Sequence, residues 1–322
     1  MRIQGLRLKD LTGFDETRIV YQDVGKGSPL VFANGLGGTY EAWIHMINHL
    51  KERYRILSWD YRGMYASGRP PLDHLAITDH VKDLELILKR ENIGKTVLAG
   101  WSMGTQVVLE YYRRHPEQVL GIVLICGSAG APFETALDWS ASRYLLPAVF
   151  ELLERIHPVQ SGVIKAVVSI PGALDLLKPL GMLAREGDIE TFKLMAADYA
   201  DLDFEAYNRI MLELGRHDAW DVLEDIRVPT LIFSADRDFF TPLHVSEKMR
   251  RMIPDSRLVV VEGGTHYAPL EFPNQLNRQI DRFLEGIRWP AEKKSAAGKR
   301  RAPSKKQPGK KSGRKTSRKA KG

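Results

Sequence analysis

The sequence predicts an α/β fold built on a doubly wound, mostly parallel sheet. Short, continuous apolar runs alternate with longer segments whose apolar residues recur every three or four positions, at 78–89 and 105–115. Continuous apolar runs are typical of parallel strands that helices cover on both faces. The runs that predict strands are PLVFAN at 29–34, YRILSWD at 54–60, TVLAG at 96–100, GIVLIC at 121–126, TLIFSAD at 230–236 and RLVVVEG at 257–263.

One long segment interrupts this alternation. Residues 131–227 offer helical segments and no convincing strand pattern, and strand-like sequence resumes at Val228. Because the strands return afterwards, we expect residues 131–227 to form a helical cap. The cap would be inserted into a core made of residues 1–130 and 228–290.

Charge divides the chain unevenly. The 322 residues include 47 Lys and Arg against 40 Asp and Glu, a net charge of +7. Residues 291–322 hold 14 of the basic residues and one acid, which gives +13, and residues 1–290 hold the other 33 basic and 39 acidic residues, which gives −6. The tail at 291–322 has almost no apolar side chains to bury, so we expect it to be disordered. Its composition fits sequence-blind contact with nucleic acid or another polyanion, an anionic membrane surface, or a solubilising appendage without a fixed partner.

Cysteine usage and hydropathy indicate a cytoplasmic protein. Cys126 is the one cysteine and lies in an apolar run, so an intrachain disulfide is excluded and a buried thiol is expected. The first residues, MRIQGLRLKDLTGF, lack the apolar stretch of a secretory signal. The most apolar long window, 163–183, contains charges and two prolines, so we expect no transmembrane segment.

The pentapeptide GWSMG at 100–104 predicts a nucleophilic serine. It lies between an apolar strand and a helix, the context in which the G-x-S-x-G pattern carries meaning. A strand that turns sharply into a helix needs small neighbours, and Gly100 and Gly104 provide them. The hydroxyl of Ser102 would then project above the strand ends, near a helix N-terminus that favours developing negative charge.

A serine hydroxyl needs a base to take its proton, and His266 is the candidate. It lies in a glycine-rich loop after the last predicted strand, in RLVVVEGGTHYAPLEFP. A carboxylate must hold the imidazole in the right tautomer, and two aspartates follow the preceding strand. We favour Asp238 from its spacing to Pro242, and we expect Asp236 to cap the loop or pair with Arg237.

An oxyanion hole needs two backbone N–H groups. Met103, which follows the serine, would supply the first, and Leu36 in the glycine-rich loop at 34–38 would supply the second. The alternatives for that loop are a plain turn or a phosphate cradle, and the lysine, the Ser/Thr and the G-x-G-x-x-G spacing typical of phosphate-binding loops are missing. His45 and His49 lie four residues apart on a predicted helix but have no third ligand nearby in the sequence, so we predict no metal site there. Chemistry by Ser102, His266 and Asp238 implies neither a metal nor an organic cofactor.

Together these residues resemble the α/β-hydrolase superfamily over roughly 20–130 and 228–288. The likeness rests on GWSMG, the D-x-x-T-P run at 238–242, GGTHYAPLEFP around His266, and the stretch WDYRGMYASGRP, all in the family's order. The resemblance implies an α/β-hydrolase fold in which residues 131–227 are the variable cap. Asn34 stands where the family commonly has histidine, and Arg62–Tyr65 reads RGMY where the family commonly has RGHG.

The sequence therefore predicts a serine hydrolase that cleaves a carboxylic ester or related acyl bond. Acyl transfer, perhydrolysis and carbon–carbon bond hydrolysis could use the same three residues. A rival of another class is an idle scaffold that binds a polyanion through its basic tail. Six apolar cap residues could line a pocket for a small hydrophobic acyl substrate or pack the cap's own core. They are Phe133, Trp139, Tyr144, Leu145, Leu146 and Phe150.

Overall fold

The computed structural model describes most of the chain before residue 291. Trp139 and the predicted tail lie outside the described residues, so the expectations for them stay predictions. One compact unit spans Met1–Trp289. The described residues are 3–135, 141–170, 172–178, 183–184 and 187–290.

An eight-stranded, mostly parallel sheet forms the centre of this unit. The strand order is β1-β2-β4-β3-β5-β6-β7-β8, and every neighbouring pair from β4 onwards is parallel. The six strands predicted from apolar runs are all present, as β3 to β8. The strands are β1 (Arg7–Thr12), β2 (Arg18–Gly25), β3 (Ser28–Ala33), β4 (Tyr54–Trp59), β5 (Thr96–Trp101), β6 (Val119–Ile125), β7 (Thr230–Ala235) and β8 (Ser256–Val261).

The first two strands are an addition to the predicted pattern. β1 pairs with β2, and β2 pairs with β4, both antiparallel, so they extend one edge of the sheet. β1 lies at that edge and is mostly exposed, and its sequence RLKDLT lacks a continuous apolar run. An edge strand needs little apolar sequence, because only part of its surface is buried.

Helices cover the sheet on both faces, which confirms the doubly wound class. In β3, Val31 packs in a cluster with α2 and α3, whereas Leu30 and Phe32 pack in a second cluster with α1 and α11. Successive strand residues point to opposite faces, so one apolar run serves both layers. The helices are α1 (Ile44–Leu50), α2 (Ile77–Arg90), α3 (Met103–Arg114), α4 (Pro132–Thr135), α5 (Ser142–Arg155), α6 (His157–Ser169), α7 (Ile189–Ala200), α8 (Phe204–Arg216), α9 (Leu243–Met252), α10 (Ala268–Glu271) and α11 (Pro273–Glu285).

Helices α4 to α8 lie between β6 and β7, in the region predicted to be a cap. Within the described part of 131–227 we find no strand, and one isolated bridge joins Gly130 to Asp218. α5 and α6 both pack against α8, and α6 also packs against α7. None of the helices in the described residues is both long and apolar enough to span a membrane.

Candidate active site

Ser102 occupies a strained turn between β5 and α3. Its backbone has φ 54° and ψ −119°, a conformation that non-glycine residues rarely adopt. A Cβ atom on Gly100 would lie 2.3 Å from the carbonyl oxygen of Gly104, and one on Gly104 would lie 2.1 Å from the carbonyl oxygen of Ala33. The two glycines are therefore required by close backbone packing around the turn, as the sequence predicted.

The three residues predicted to act together form a continuous hydrogen-bonded chain. His266 Nε2 lies 2.8 Å from Ser102 Oγ, and His266 Nδ1 lies 2.8 Å from Asp238 Oδ2. With a proton on Nδ1, the imidazole donates to Asp238 and its Nε2 accepts from the serine hydroxyl. This tautomer leaves Nε2 ready to take the hydroxyl proton.

The carboxylate of Asp238 is buried and fully bonded. Its Oδ1 accepts from the backbone N–H groups of Phe240 at 2.9 Å and Thr241 at 3.0 Å, and its Oδ2 accepts from Thr241 Oγ1 at 2.6 Å. Burial alone would raise the pKa of Asp238, but the charge of a protonated His266 and the Thr241 bonds hold that pKa below its ordinary value. The carboxylate therefore stays ionised beside the imidazole.

Asp236 takes a different place from Asp238. Its Oδ1 accepts from the backbone N–H of Gly263 at 2.7 Å, at the start of the loop that carries His266. Asp236 thus holds the loop, which is one of the two alternatives that the sequence left for it. Of the two aspartates, Asp238 is the one hydrogen-bonded to His266.

The glycine-rich loop after β3 borders the same cavity as Ser102. Gly35, Leu36, Gly37 and Gly38 all line this cavity, so the predicted N–H donor at Leu36 lies in the right region. Met103 is the first residue of α3, and N–H groups in the first turn of a helix lack an acceptor four residues earlier. The oxyanion roles of Leu36 and Met103 remain predictions.

Asn34 anchors the base of that loop. Its Nδ2 donates to the carbonyl of Trp59 at 2.8 Å, its Oδ1 accepts from Trp43 Nε1 at 2.7 Å, and its own carbonyl accepts from Tyr61 Oη at 2.8 Å. The hydroxyl of Tyr65 donates to the carbonyl of Gly37. Asn34 and Tyr65, two of the positions at which the chain departs from the family pattern, therefore hold the loop through hydrogen bonds.

Two residues that sequence reasoning missed support the histidine loop. Trp101 Nε1 donates to the carbonyl of His266 at 2.8 Å. Glu271 accepts from the backbone N–H of Thr265 at 2.8 Å, and its other oxygen accepts from Thr265 Oγ1 at 2.6 Å and from the N–H of Ala184 in the cap at 2.7 Å. The glutamate in the largely apolar stretch HYAPLEFP is a signal that could have indicated Glu271, because a carboxylate in apolar surroundings needs hydrogen-bond donors from nearby residues.

An apolar cavity of about 350 Å³ opens above Ser102 and His266. Its polar groups are few and belong mainly to the predicted site and to tyrosine hydroxyls, so it suits an uncharged, largely apolar group. Besides the loop at 35–38, Trp101, Ser102 and His266, the lining comes from the cap and from two residues near His266. These lining residues are Ile164, Val168, Leu174, Phe192, Met195, Ala196, Tyr199, Tyr207, Phe240 and Tyr267.

Of the cap residues named from the sequence, those that the structure describes do not line this cavity. Of the five that the structure describes, Phe133 and Phe150 stack on each other with ring centroids 5.6 Å apart, and Tyr144 and Leu145 are exposed. Helix α5, which carries Phe150, packs against α8. For Phe133 and Phe150 the alternative, packing in the cap's own core, is therefore the correct one.

His45 and His49 contact separate carboxylates rather than each other. His45 Nε2 lies 2.9 Å from Asp188 Oδ2, and His49 Nε2 lies 2.7 Å from Asp281 Oδ2. Among the described residues, no group of three or more His, Cys, Asp or Glu side chains could hold a metal ion. Cys126 is buried with a free thiol, as expected from its apolar surroundings.

Curated relatives match this chain over most of their length. A putative carbamate hydrolase, RutD, from Azorhizobium caulinodans is 25% identical over 275 residues, which cover 84% of this chain and 96% of the relative. A putative non-heme chloroperoxidase from Synechocystis is 27% identical over 282 residues, which cover 83% of this chain and 95% of the relative.

Solved structures with the same fold include two esterases. The esterase from Exiguobacterium antarcticum superposes with a TM-score of 0.70 at 24% identity, covering 86% of this chain and 98% of that chain. A thermophilic esterase from Thermogutta terrifontis superposes with a TM-score of 0.69 at 22% identity, covering 87% and 98%. At these identities the likeness shows a shared fold.

The family model of the alpha/beta hydrolase family matches residues 30–279. The match extends from β3 into α11 and includes the hydrogen-bonded chain of Ser102, His266 and Asp238. The chain therefore belongs to the alpha/beta hydrolase family and is a hydrolase of that family.

Proposed function

We propose that the chain cleaves a carboxylic ester or related acyl bond through an acyl-enzyme on Ser102. The observation that carries the proposal is the pair of 2.8 Å contacts from Ser102 Oγ through His266 to Asp238. A hydroxyl, an imidazole and a buried carboxylate in this geometry are the parts needed to activate a serine nucleophile.

In the first half of the reaction Ser102 is acylated. His266 Nε2 takes the hydroxyl proton while Ser102 Oγ forms a bond to the substrate's carbonyl carbon. The carbonyl oxygen becomes anionic, and the backbone N–H groups of Leu36 and Met103 would donate to it. The tetrahedral intermediate then breaks its bond to the leaving oxygen, which receives the proton from His266 and departs as an alcohol.

In the second half water releases the acyl group. His266 Nε2 takes one proton from water, and the oxygen attacks the acyl carbon of the ester on Ser102. Ser102 Oγ leaves and recovers a proton from His266, which frees a carboxylic acid. Asp238 stabilises the imidazolium in both halves, because its carboxylate remains ionised.

The cavity supports a small, uncharged and hydrophobic acyl or alcohol group as the substrate. We propose that residues 131–227 act as a cap that supplies one wall, since α6 contributes Ile164 and Val168 and α7 contributes Phe192 and Met195. Two relatives of this chain are named as a putative carbamate hydrolase and a putative non-heme chloroperoxidase, so other reactions are considered beside ester hydrolysis. Carbamate cleavage, acyl transfer and perhydrolysis would each begin from the same attack by Ser102.

Labelling with a fluorophosphonate probe tests the nucleophile. The parent protein should gain the mass of one phosphonyl adduct on the peptide that contains Ser102, and it should hydrolyse p-nitrophenyl esters. Ser102→Ala should abolish both, with activity falling by roughly 10⁴-fold or more. Ser256→Ala, a serine variant on β8 away from the cavity, should behave like the parent. Labelling of Ser102→Ala at the parental rate would contradict the proposal.

A panel of acceptors then separates the reactions. Release of free acid in proportion to alcohol indicates hydrolysis, whereas an added alcohol, thiol or peroxide that captures most of the acyl group indicates transfer or perhydrolysis. If the probe labels nothing and no ester or carbamate is turned over, the chain is an idle scaffold and the proposed activity is wrong.

A further inference from the structure

Two cap helices carry rows of exposed apolar side chains. The described residues include 13 large hydrophobic residues that are exposed, and nine of them lie within 144–170. Such a concentration on one segment marks an interaction surface, since scattered single residues are the usual pattern. We call eight of them the apolar stripe: Leu145, Val149 and Leu152 on α5 with Ile156 directly after it, and Val159, Val163 and Val167 on α6 with Ile170 directly after it.

Helical spacing places each row of the stripe on one side of its helix. The intervals are three or four residues throughout, which is the repeat of one helix face. Helix α8 contacts both helices beside or behind these rows. Arg209 Nε donates to Glu154 Oε1, on the side of α5 opposite its row, at 2.7 Å, and Asn208 Nδ2 donates to Gln160 Oε1, at the edge of the α6 row, at 2.7 Å. The stripe is therefore the exposed face of helices whose other sides already contact α8.

Helix α6 is apolar toward both the cavity and the exterior. Ile164 and Val168 line the cavity above Ser102, and their sequence neighbours Val163 and Val167 are exposed. The only acidic or basic side chain on α6, apart from its histidine, is Lys165, which pairs with Asp201 at 2.9 Å. One helix thus joins an apolar cavity to an apolar outer surface.

The charge of the chain points to the partner of this surface. The tail at 291–322 carries +13, whereas residues 1–290 carry −6. Apart from five alanines and two prolines, the tail has no apolar residues with which it could cover the stripe. Nucleic acid would satisfy the tail's charge but offers the stripe no apolar phase. An anionic lipid surface offers both, and stable peripheral binding to membranes takes two such signals.

We propose that the apolar stripe docks on the surface of an anionic lipid bilayer. The stripe supplies the apolar contact, and the basic tail supplies the electrostatic attraction that the acidic body lacks. This docking is independent of the chemistry proposed for Ser102.

Vesicle flotation with the full-length protein tests the proposal. The vesicles contain phosphatidylcholine alone or phosphatidylcholine with phosphatidylglycerol. The parent should float with the anionic vesicles and less with the neutral ones. A triple variant, Val159→Ser with Val163→Ser and Val167→Ser, should bind at least about tenfold more weakly. Leu8→Ser removes an equally exposed apolar side chain on β1 and should bind like the parent.

Two further arms separate the two contributions. A variant without residues 291–322 should lose its preference for anionic over neutral vesicles and the salt dependence of its binding. All variants should hydrolyse a water-soluble acetate ester at the parental rate if they are folded, because the substituted valines lie outside the cavity lining.

Three results would overturn the proposal. The parent could fail to float with either vesicle. The triple variant could float like the parent, which would mean that the tail alone binds polyanions. Sedimentation velocity could also show a dimer that the triple variant dissociates without any change in flotation, which would assign the stripe to a second copy of this chain.

Discussion

The carboxyl edge of the sheet and the cap contribute to one cavity in different ways. At the sheet edge, Asp238 accepts four hydrogen bonds, counting that from His266, and Asn34 makes bonds through both its side chain and its carbonyl. The cap contributes mainly apolar side chains such as Phe192 and Met195 to the wall. Hydrogen bonds fix the positions of individual side-chain atoms closely, whereas apolar contacts mainly determine the volume and shape of the cavity.

This difference separates two kinds of sensitivity. A substitution at the sheet edge should change the rate of the chemical step, because it removes a donor or acceptor that orients a reacting group. A substitution in the cap wall should change which substrates fit while the chemistry persists. Glu271 joins the two regions, since one of its oxygens accepts from both Thr265 and Ala184.

The largest effect is expected when the carboxylate beside His266 is neutralised. Asp238→Asn should lower kcat by about 10⁴-fold, because the amide cannot hold the same imidazole tautomer or stabilise its charge. Asp236→Asn keeps an oxygen that can accept from Gly263 and should lower kcat less than tenfold. Steady-state kinetics of both variants on one activated ester make the comparison. A stronger loss in Asp236→Asn would reverse the assignment of the two aspartates.

A substitution of Glu271, which joins the histidine loop to the cap, should lower kcat by an intermediate amount. Glu271→Gln places an N–H₂ group against at least one of the backbone donors, which leaves a buried donor unpaired at a cost of about 1–3 kcal/mol. We expect kcat to fall roughly tenfold to a hundredfold through displacement of the histidine loop. Glu262→Gln changes an exposed glutamate just before that loop and serves as the control. Equal activity in both variants would show that the loop holds its position without Glu271.

The cap wall should alter substrate choice. Ala196→Phe puts a bulky side chain into the cavity, so kcat/KM for an octanoate ester should fall about tenfold relative to an acetate ester. Ala166→Phe makes the same exchange on the exposed side of α6 and should leave the ratio unchanged. An unchanged ratio in both variants would place the acyl group somewhere other than this cavity.

A buried histidine that packs on Tyr61 should make the core sensitive to acid. His80 packs on Tyr61 with ring centroids 4.7 Å apart, and burial lowers the pKa of His80 to about 3. The unfolded chain takes up this proton near pH 6.5, so stability is complete above that pH and falls as the pH decreases toward 3. Between pH 7 and pH 5 the loss is about 2 kcal/mol from this group.

Urea unfolding at pH 7 and pH 5 measures that loss. His80→Phe keeps an aromatic ring and removes the titration, so its free energy of unfolding should fall less between the two pH values than that of the parent. Identical pH dependence in parent and His80→Phe would contradict the burial argument.

The sequence predicted the structure best where close backbone packing or burial on both faces permits only a few residue types. GWSMG predicted the turn at Ser102 correctly, because a Cβ on Gly100 or Gly104 would collide with backbone atoms. The glycines in this pattern therefore have a steric cause. The six central strands were readable because burial on both faces demands continuous apolar sequence. The contacts of Ser102, His266 and Asp238 follow the spacing and chain order that predicted them.

The rest depends on packing that a single sequence does not encode locally. Phe133 and Leu146 were as plausible for the cavity wall as Ile164, because the orientation of each cap helix is set by the helices that pack against it. β1 was missed because an exposed edge strand needs no continuous apolar run. Trp101 and Glu271 act through bonds to residues distant in the chain, and such partners appear only once the fold is known.

Around the strained turn at residue 102, substitutions of the glycines and substitutions of the serine should have different consequences. The first should prevent folding, and the second should leave a folded protein without the proposed activity. Ser102, the proposed nucleophile, lines a cavity with room around it, whereas Gly100 and Gly104 have backbone oxygens within 2.3 Å of any added Cβ. In a library covering every substitution, steady-state abundance in cells should collapse at the two glycines, which do no chemistry. At Ser102, small replacements such as alanine or cysteine should accumulate to nearly normal abundance as inactive or altered protein.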